Sequence, residues 1–129
     1  MPHIMLEYSS NITITKDFGE LFGPIHQLLE RSLNVNPLNC KSRVICHDNF
    51  FVAKGDPKHA FAHLQIKVLD RHPFEGKQEV GAGAFELIKT FFKDQVAGLC
   101  FQPSVEIHEM KGDLYYKLGV EEILNEAKK

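Results

Sequence analysis

Apolar and polar residues alternate in four segments of the chain, whereas two longer segments repeat apolar residues every three or four positions. Alternation predicts a strand with one buried face, and the three-to-four spacing predicts an amphipathic helix. The predicted strands are 4–8, 42–47, 60–69 and 102–109, and the predicted helices are 18–33 and a second one that starts at residue 75. The order is therefore strand, helix, strand, repeated after a turn. Residues 115–129 follow as either a short strand or an amphipathic helix.

Local signals refine the two predicted helices. Thr15 is a candidate N-cap for the first helix, and Pro24 lies inside its apolar stripe. Because proline removes a backbone donor, Pro24 predicts either a kink or a later start of that helix. In the second helix, Gly81 and Gly83 each cost about 1 kcal/mol relative to alanine, and Gly98 is a natural C-cap.

The two strand–helix–strand units, 2–48 and 59–110, are each long enough for a right-handed crossover between parallel strands. Four strands with two helices on one face form a two-layer α+β sandwich of duplicated β-α-β units. Residues 1–129 are then one domain, with 111–129 as its tail. The opposite face of the sheet has no predicted cover, which favours association with further copies of the chain. We therefore expect an oligomer.

Composition and charge exclude several classes of protein. Fifteen Lys and Arg residues against seventeen Asp and Glu give a formal net charge of −2, so the chain lacks the positive field that drives nucleic-acid binding. No segment reaches the roughly 20 apolar residues of a membrane span, and the first ten residues lack the pattern of a secretion signal. The three cysteines (Cys40, Cys46 and Cys100) have no paired spacing and indicate free thiols in a reducing compartment. We expect a cytoplasmic protein without nucleic-acid or membrane partners.

The chemically unusual feature is Pro2, directly after the initiator methionine. A proline in this position permits removal of Met1 in the cell, which leaves a free secondary amine. An α-amino group ionises near pH 8, and burial or neighbouring cations lower its pKa further. An amine that is neutral near pH 7 is a competent general base. The simpler interpretation is that Pro2 only begins a strand, where its missing N–H costs no ladder hydrogen bond.

Four segments in order along the chain carry a resemblance to a known family. They are the start (Pro-His, three apolar residues, then Glu-Tyr-Ser), Cys-Lys-Ser-Arg-Val at 40–44, the strand 59–69 with Asp-Arg-His after it, and Phe-Glu-Leu-Ile-Lys at 85–89. Together they closely resemble 5-carboxymethyl-2-hydroxymuconate Δ-isomerases, which belong to the tautomerase superfamily. The resemblance extends from Pro2 to about Glu109, most of the chain.

The resemblance implies a trimer of repeated β-α-β units that uses the N-terminal proline, here Pro2, as general acid and base. The implied substrate is a small carboxylate, a conjugated 2-hydroxydienoate of aromatic catabolism on the homoprotocatechuate route, and the product is its 2-oxo-enoate. Neither a metal nor an organic cofactor is implied. Because negative charge develops on the 2-oxo and carboxylate oxygens, fixed cations are expected near Pro2.

Three basic residues at strand ends are the candidate substrate-binding cations: Lys41, Arg43 and Arg71. The family usually has arginine where this chain has Lys41, so a bidentate fork is replaced by a point charge. The second family arginine corresponds to Arg71 or, with a shift of one residue, to His72; we favour Arg71 because it keeps its charge. Each cation has an alternative role on the surface, and Arg43 has one as a buried ion-pair partner.

Other chemistries have weaker support in the sequence. His59 and His63 have the HxxxH spacing of a metal pair, but on a strand they lie roughly 13 Å apart, too far for one zinc ion. Two further functions remain open. One is a relaxed tautomerase that acts on another 2-oxo acid, and the other is a non-catalytic trimeric binding protein of the same fold.

Overall fold

The computed structural model describes residues 1–128 and contains four strands and three helices. The first unit consists of β1 (His3–Ser9), α1 (Gly19–Leu33) and β2 (Lys41–His47). The second consists of β3 (His59–Leu69), α2 (Phe74–Phe92) and β4 (Cys100–Met110), and α3 (Val120–Ala127) follows in the tail. The predicted strand–helix–strand order is confirmed, and the tail, left open between strand and helix, contains a helix. The last residue of the predicted tail, 129, lies outside the described residues.

The four strands form one mixed sheet in the order β2-β1-β3-β4. Strands β1 and β2 are parallel, β3 and β4 are parallel, and the two central strands β1 and β3 run antiparallel. The expected parallel crossover within each unit is therefore present, and the predicted α+β sandwich is confirmed. Since β1 is central, its first residues lie between the start of β2 and the end of β3.

The core lies between the sheet and the two long helices. Alternate residues of β1 and β3 are buried, as the alternating sequence pattern predicts (Ile4, Leu6, Tyr8, Ala60, Ala62, Leu64, Ile66 and Val68). The apolar stripes of α1 and α2 cover them, and Ile88 and Phe92 of α2 are fully enclosed. Burial of these stripes, rather than helix propensity alone, holds α1 and α2 in place.

Three details of the predicted helix ends are wrong. The first helix does not start late, since α1 begins at Gly19 and continues through Pro24. Its N-cap is Phe18 and not Thr15, because the carboxylate of Asp17 accepts a hydrogen bond from the Gly19 N–H at 2.7 Å and turns the chain there. Gly98 does not cap α2, which ends at residue 92. Its φ of +82° instead serves the turn into β4.

The other face of the sheet lacks a helical cover among residues 1–128, and its side chains are largely polar. Two of its ion pairs cross neighbouring strands: Glu7 with His47 at 2.9 Å and His63 with Glu106 at 3.3 Å. By the strand register, Arg43 is level with Met5 on the same face. Within the described part of the chain, no helix has the length and hydropathy to span a membrane.

Candidate active site

The start of β1 is the point at which the sheet brings the candidate residues together. His3 is paired with Lys41 of β2 on one side and with Lys67 of β3 on the other. Pro2 precedes this pair; its side chain is fully buried, and its carbonyl accepts the Lys41 N–H at 3.2 Å. The residue that the sequence nominates as base is thus fixed in the backbone beside a strand end.

Positive charges surround the chain terminus. The Met1 amino group is partly buried, and burial is the main reason why its pKa lies below the ordinary value of 8.0. The charges of Lys117, Arg71 and Lys41 lower this pKa further, against the opposing effect of Cys40. Two of the three predicted cations, Lys41 and Arg71, therefore act on the N-terminus.

A cleft of about 290 Å³ opens at this terminus. Its walls are the chain terminus, the end of α1 with the loop after it, and the segment after β3. The lining residues are Met1, Leu33, Asn34, Val35, Asn36, Asn39, Arg71 and His72. Asn34 ends α1 in the left-handed conformation, with a φ of 55°, so the chain turns sharply and forms one wall. Apart from Arg71, the polar lining consists of amide and imidazole groups, which are suited to hydrogen bonds with a small polar ligand.

Lys77 of α2 stabilises the segment that carries Arg71 and His72 through a bond to the residue before it, Asp70. The buried Lys77 ammonium donates to the Asp70 carbonyl at 3.0 Å and forms an ion pair with Glu109. The Asp70 N–H also donates to the Met110 carbonyl at 2.9 Å. Burial, and then the Arg71 charge, lower the pKa of His72, so this imidazole is neutral at pH 7.

Arg43 lies elsewhere. Its guanidinium is exposed and donates to His3 Nδ1 at 3.1 Å, on the uncovered face of the sheet. Because arginine can only donate, His3 Nδ1 accepts, and Nε2–H then donates to the Tyr115 hydroxyl at 2.8 Å. The structure thus separates Arg43 from the cleft that Arg71 lines. It also contradicts the alternative role of Arg43 as a buried ion-pair partner. A role for Arg43 in substrate binding stays a prediction.

Sequence reasoning missed Lys117. It lies in the tail, in a segment between the last strand and α3 without a repeating hydrophobic pattern. The long-range contact between Tyr115 and His3, 112 positions apart, brings this segment back to the N-terminus, together with the bond from Gly112 to Asp70. No local signal in the sequence announces such a contact.

The histidine pair of the HxxxH motif lies on β3, as the alternation predicts. His63 Nδ1 contacts the Ser104 hydroxyl at 2.7 Å, and its Nε2 contacts Glu106 at 3.3 Å. Among residues 1–128, no three His, Cys, Asp or Glu side chains are grouped as metal ligands would be. The geometry of the candidate site therefore consists of an amine, cations and a cleft.

Comparison with solved structures defines the class of protein. A crystal structure of a 5-carboxymethyl-2-hydroxymuconate isomerase from Deinococcus radiodurans R1 superposes with a TM-score of 0.83 at 22% identity, over 96% of this chain and 93% of that one. A fused 4-OT protein, described as a wild-type symmetric trimer, superposes with a TM-score of 0.66 at 10% identity, over 92% of this chain and 90% of the other. The fold is that of the tautomerase superfamily.

Sequence comparison then gives the family. Residues 2–120 match the family model of 5-carboxymethyl-2-hydroxymuconate isomerase. The 5-carboxymethyl-2-hydroxymuconate Delta-isomerase of Escherichia coli is 32% identical over 118 residues, which cover 91% of this chain and 93% of that protein. The chain belongs to the 5-carboxymethyl-2-hydroxymuconate isomerase family, and it is an isomerase of the tautomerase superfamily.

Proposed function

We propose that this isomerase converts 5-carboxymethyl-2-hydroxymuconate to its 2-oxo-enoate without a cofactor, with the Pro2 nitrogen as general acid and base. The observation that carries the proposal is the convergence of Lys41 and Arg71 on a partly buried N-terminus beside a cleft. Family membership supports the reaction, and the position of Pro2 at the start of the central strand supports the choice of base.

Removal of Met1 is a chemical requirement of this mechanism. In the unprocessed chain the Pro2 nitrogen is part of a tertiary amide and has no basic lone pair. Hydrolysis of the Met1–Pro2 bond releases methionine and leaves a secondary amine at the same place. That amine keeps the neighbouring cations that lower the pKa of the Met1 amine, and the same charges favour its neutral form.

One base is sufficient for the proton transfer. The neutral Pro2 amine removes the proton of the 2-hydroxyl group, and the electron pair moves through the conjugated double bonds. The protonated amine then returns the proton to a carbon further along the chain, which leaves a 2-oxo group and a shifted double bond. No atom is gained or lost, so neither oxidant nor co-reactant is required.

The cations have two tasks in this scheme. They bind the substrate carboxylates, and they stabilise the negative charge that develops on the 2-oxo oxygen as the hydroxyl proton leaves. Arg71 lines the cleft, and Lys41 lies opposite His3 at the first residue of β2. Lys41 is the first residue of β2 and Arg71 follows the end of β3 by two residues, so the sheet holds the backbone of both close to the N-terminus.

We extend the proposal to assembly and location. The uncovered, partly apolar sheet face and the trimeric state named for the fused 4-OT protein support a homotrimer. The three cysteines are free thiols, which supports a reducing compartment such as the cytoplasm. The proposed substrate also supports a role in aromatic-compound catabolism, on the homoprotocatechuate route.

Lys41 favours a second candidate function, a relaxed tautomerase that acts on another 2-oxo acid. A lysine ammonium binds a carboxylate as a point charge and imposes less orientation than an arginine fork. A panel of 2-hydroxydienoates with different carboxylate substituents separates the two functions. A specific isomerase prefers the carboxymethyl substrate by a large factor in kcat/KM, and a relaxed one does not.

The decisive test of the base is the Pro2→Ala variant. Intact-mass measurement first establishes that Met1 is absent from both proteins. Because alanine supplies a primary amine without the ring that fixes its direction, we expect kcat/KM to fall on the order of 10²-fold, followed by ultraviolet absorbance of the conjugated dienol. Pro57→Ala, in the exposed loop before β3, is the matched control and keeps full activity.

Two outcomes contradict the proposal. One is full activity of Pro2→Ala, and the other is full activity of a protein fraction that still carries Met1.

A further inference from the structure

The tail after β4 is fastened to the N-terminal end of the sheet by two contacts. The Gly112 N–H donates to Asp70 Oδ1 at 3.3 Å, just before Arg71. Three residues later, the Tyr115 hydroxyl accepts from His3 at 2.8 Å, and the two rings meet edge to face. The tail is thus joined at two residues that are close in sequence to the lining of the cleft, Asp70 directly before Arg71 and His3 two residues after Met1.

Lys117 follows Tyr115 by two residues, and the Tyr115 backbone is extended. Two residues span at most about 7 Å, and the flexible four-carbon stem of lysine adds further reach. The exposed Lys117 side chain therefore lies within range of the start of β1, where the Tyr115–His3 contact fixes the tail. Consistent with this position, its charge acts on the terminal amine more strongly than that of Arg71 or Lys41.

We infer that Lys117 is a third substrate-binding cation, and that its ligand is the carboxylate on the carboxymethyl arm of the substrate. The inference rests on the proposed function. The substrate has two carboxylates at the ends of its six-carbon chain and a third on the arm. The two β-α-β units supply Lys41 and Arg71, one strand-end cation each, and these match the two terminal carboxylates. The third cation comes from outside the repeated units and matches the group that distinguishes this substrate from 2-hydroxymuconate.

Tyr115 is then a positioning residue. Its hydroxyl accepts a hydrogen bond from His3 of β1, and the other nitrogen of His3 accepts one from Arg43 of β2. The tail is therefore attached to β1 directly and to β2 through His3. Loss of the hydroxyl in Tyr115→Phe removes this attachment while the ring stays. We expect a partial loss of the same substrate preference, without an effect on the proton transfer itself.

The experiment compares two substrates that differ only in the arm, 5-carboxymethyl-2-hydroxymuconate and 2-hydroxymuconate. We compare the proteins on the plateau of their pH–rate profiles, where the amine is neutral in both, because loss of the Lys117 charge also raises the pKa of that amine. There we expect Lys117→Gln to lower kcat/KM for the first substrate roughly tenfold, mainly through KM, and to change that for the second by less than about twofold. Lys111→Gln, in the same tail, is the matched control for loss of one positive charge and leaves both values unchanged. Equal losses on both substrates, or no loss on either, overturn the inference.

Equilibrium binding separates this inference from the proposed reaction. The inert pair adipate and 2-(carboxymethyl)adipate differ by the same arm and need no catalysis. By calorimetry we expect wild type to bind the arm-bearing compound roughly tenfold more tightly, and Lys117→Gln to lose that preference. If the arm adds nothing to the affinity of wild type, the inference is wrong whether or not Pro2 is the base. If the preference is present but Pro2→Ala stays fully active, the proposed base is wrong and the role of Lys117 stands.

Discussion

At the scale of single residues, the candidate site depends on how the protein sets the charge of one nitrogen. Burial disfavours the protonated amine because it removes water from the cation, and nearby Lys and Arg side chains disfavour it by repulsion. Both effects have the same sign at this N-terminus, where Lys117, Arg71 and Lys41 lie within electrostatic range. In the proposed mechanism the same cations attract a polyanionic substrate, so activation of the base and recognition of the substrate use one set of charges.

The first residue-scale prediction is the pH dependence of the processed enzyme. An amine whose pKa is lowered is neutral, and therefore competent as a base, above that pKa. Hence kcat/KM rises with pH, and the midpoint of the rise lies below the ordinary α-amine value of 8.0. In Lys41→Gln one repulsive charge is gone, so the rising limb moves to higher pH. The pH–rate profiles of both proteins measure the shift.

Lys111→Gln is the control for a general change of net charge, and its profile should match that of wild type. A rising limb at or above pH 8.0 in wild type contradicts the electrostatic account. If the rising limb of the pH–rate profile is unchanged in Lys41→Gln, then Lys41 does not lower the pKa of the amine. The roles of the other cations are unaffected by that result.

At the scale of elements, α1 and α2 approach closely where α2 has glycine. A methyl group added at Gly76 would lie 2.6 Å from Leu33 Cδ2 and 2.9 Å from the Ser32 carbonyl oxygen. The latter is backbone and cannot rotate away. Gly81 lies on the same helix and faces Ile107. A methyl group added there would lie 3.4 Å from Ile107 Cγ1, which is an ordinary van der Waals distance. One glycine is thus required by packing, and the other only lowers helix propensity.

Alanine variants of these two glycines test the close approach, with Gly81 as the control for Gly76. Gly76→Ala gains about 1 kcal/mol of helix propensity but loses about 1–3 kcal/mol through overpacking, so we expect net destabilisation of roughly 1 kcal/mol. Gly81→Ala gains propensity without a clash and is expected to be neutral or stabilising by up to about 1 kcal/mol. Urea unfolding midpoints measure both. A Gly76→Ala protein more stable than wild type would contradict the close approach of the helices.

The sequence predicts most of the elements because their patterns report one-sided burial directly. Alternation in β3 and β1 reflects a sheet with its core on one side, and the Lys41 and Arg71 positions follow from strand ends that meet at β1. The helix start was wrong at Thr15 because a local Asp17 turn decides it. The sequence does not predict the place of Lys117 because that place depends on contacts between residues far apart in sequence, Tyr115 with His3 and Gly112 with Asp70.

At the scale of the whole molecule, apolar surface is left exposed in two places. The uncovered sheet face includes Ile45, which is 42% exposed. The tail displays Leu114, Tyr116, Leu118, Ile123 and Leu124, and α3 buries none of its own side chains among residues 1–128. A helix this short is marginal in water without a partner surface. Both places are therefore suited to contact with further copies of the chain, and two pairs of polar groups on the sheet face, Glu7 with His47 and His63 with Glu106, are already joined.

The last prediction concerns assembly through the sheet face. We expect wild type to sediment at about three times the chain mass of 14.7 kDa. Met5 lies on this face, level with Arg43 and Gln65 of the adjoining strands, so Met5→Lys adds an unpaired positive charge beside Arg43 within the buried contact. We expect sedimentation velocity to show dissociation to smaller species with retained far-ultraviolet circular dichroism. Gln27→Lys, on the exposed side of α1, is the matched control and stays trimeric. A Met5→Lys protein of unchanged mass would show that copies meet elsewhere, with the exposed tail as the remaining surface.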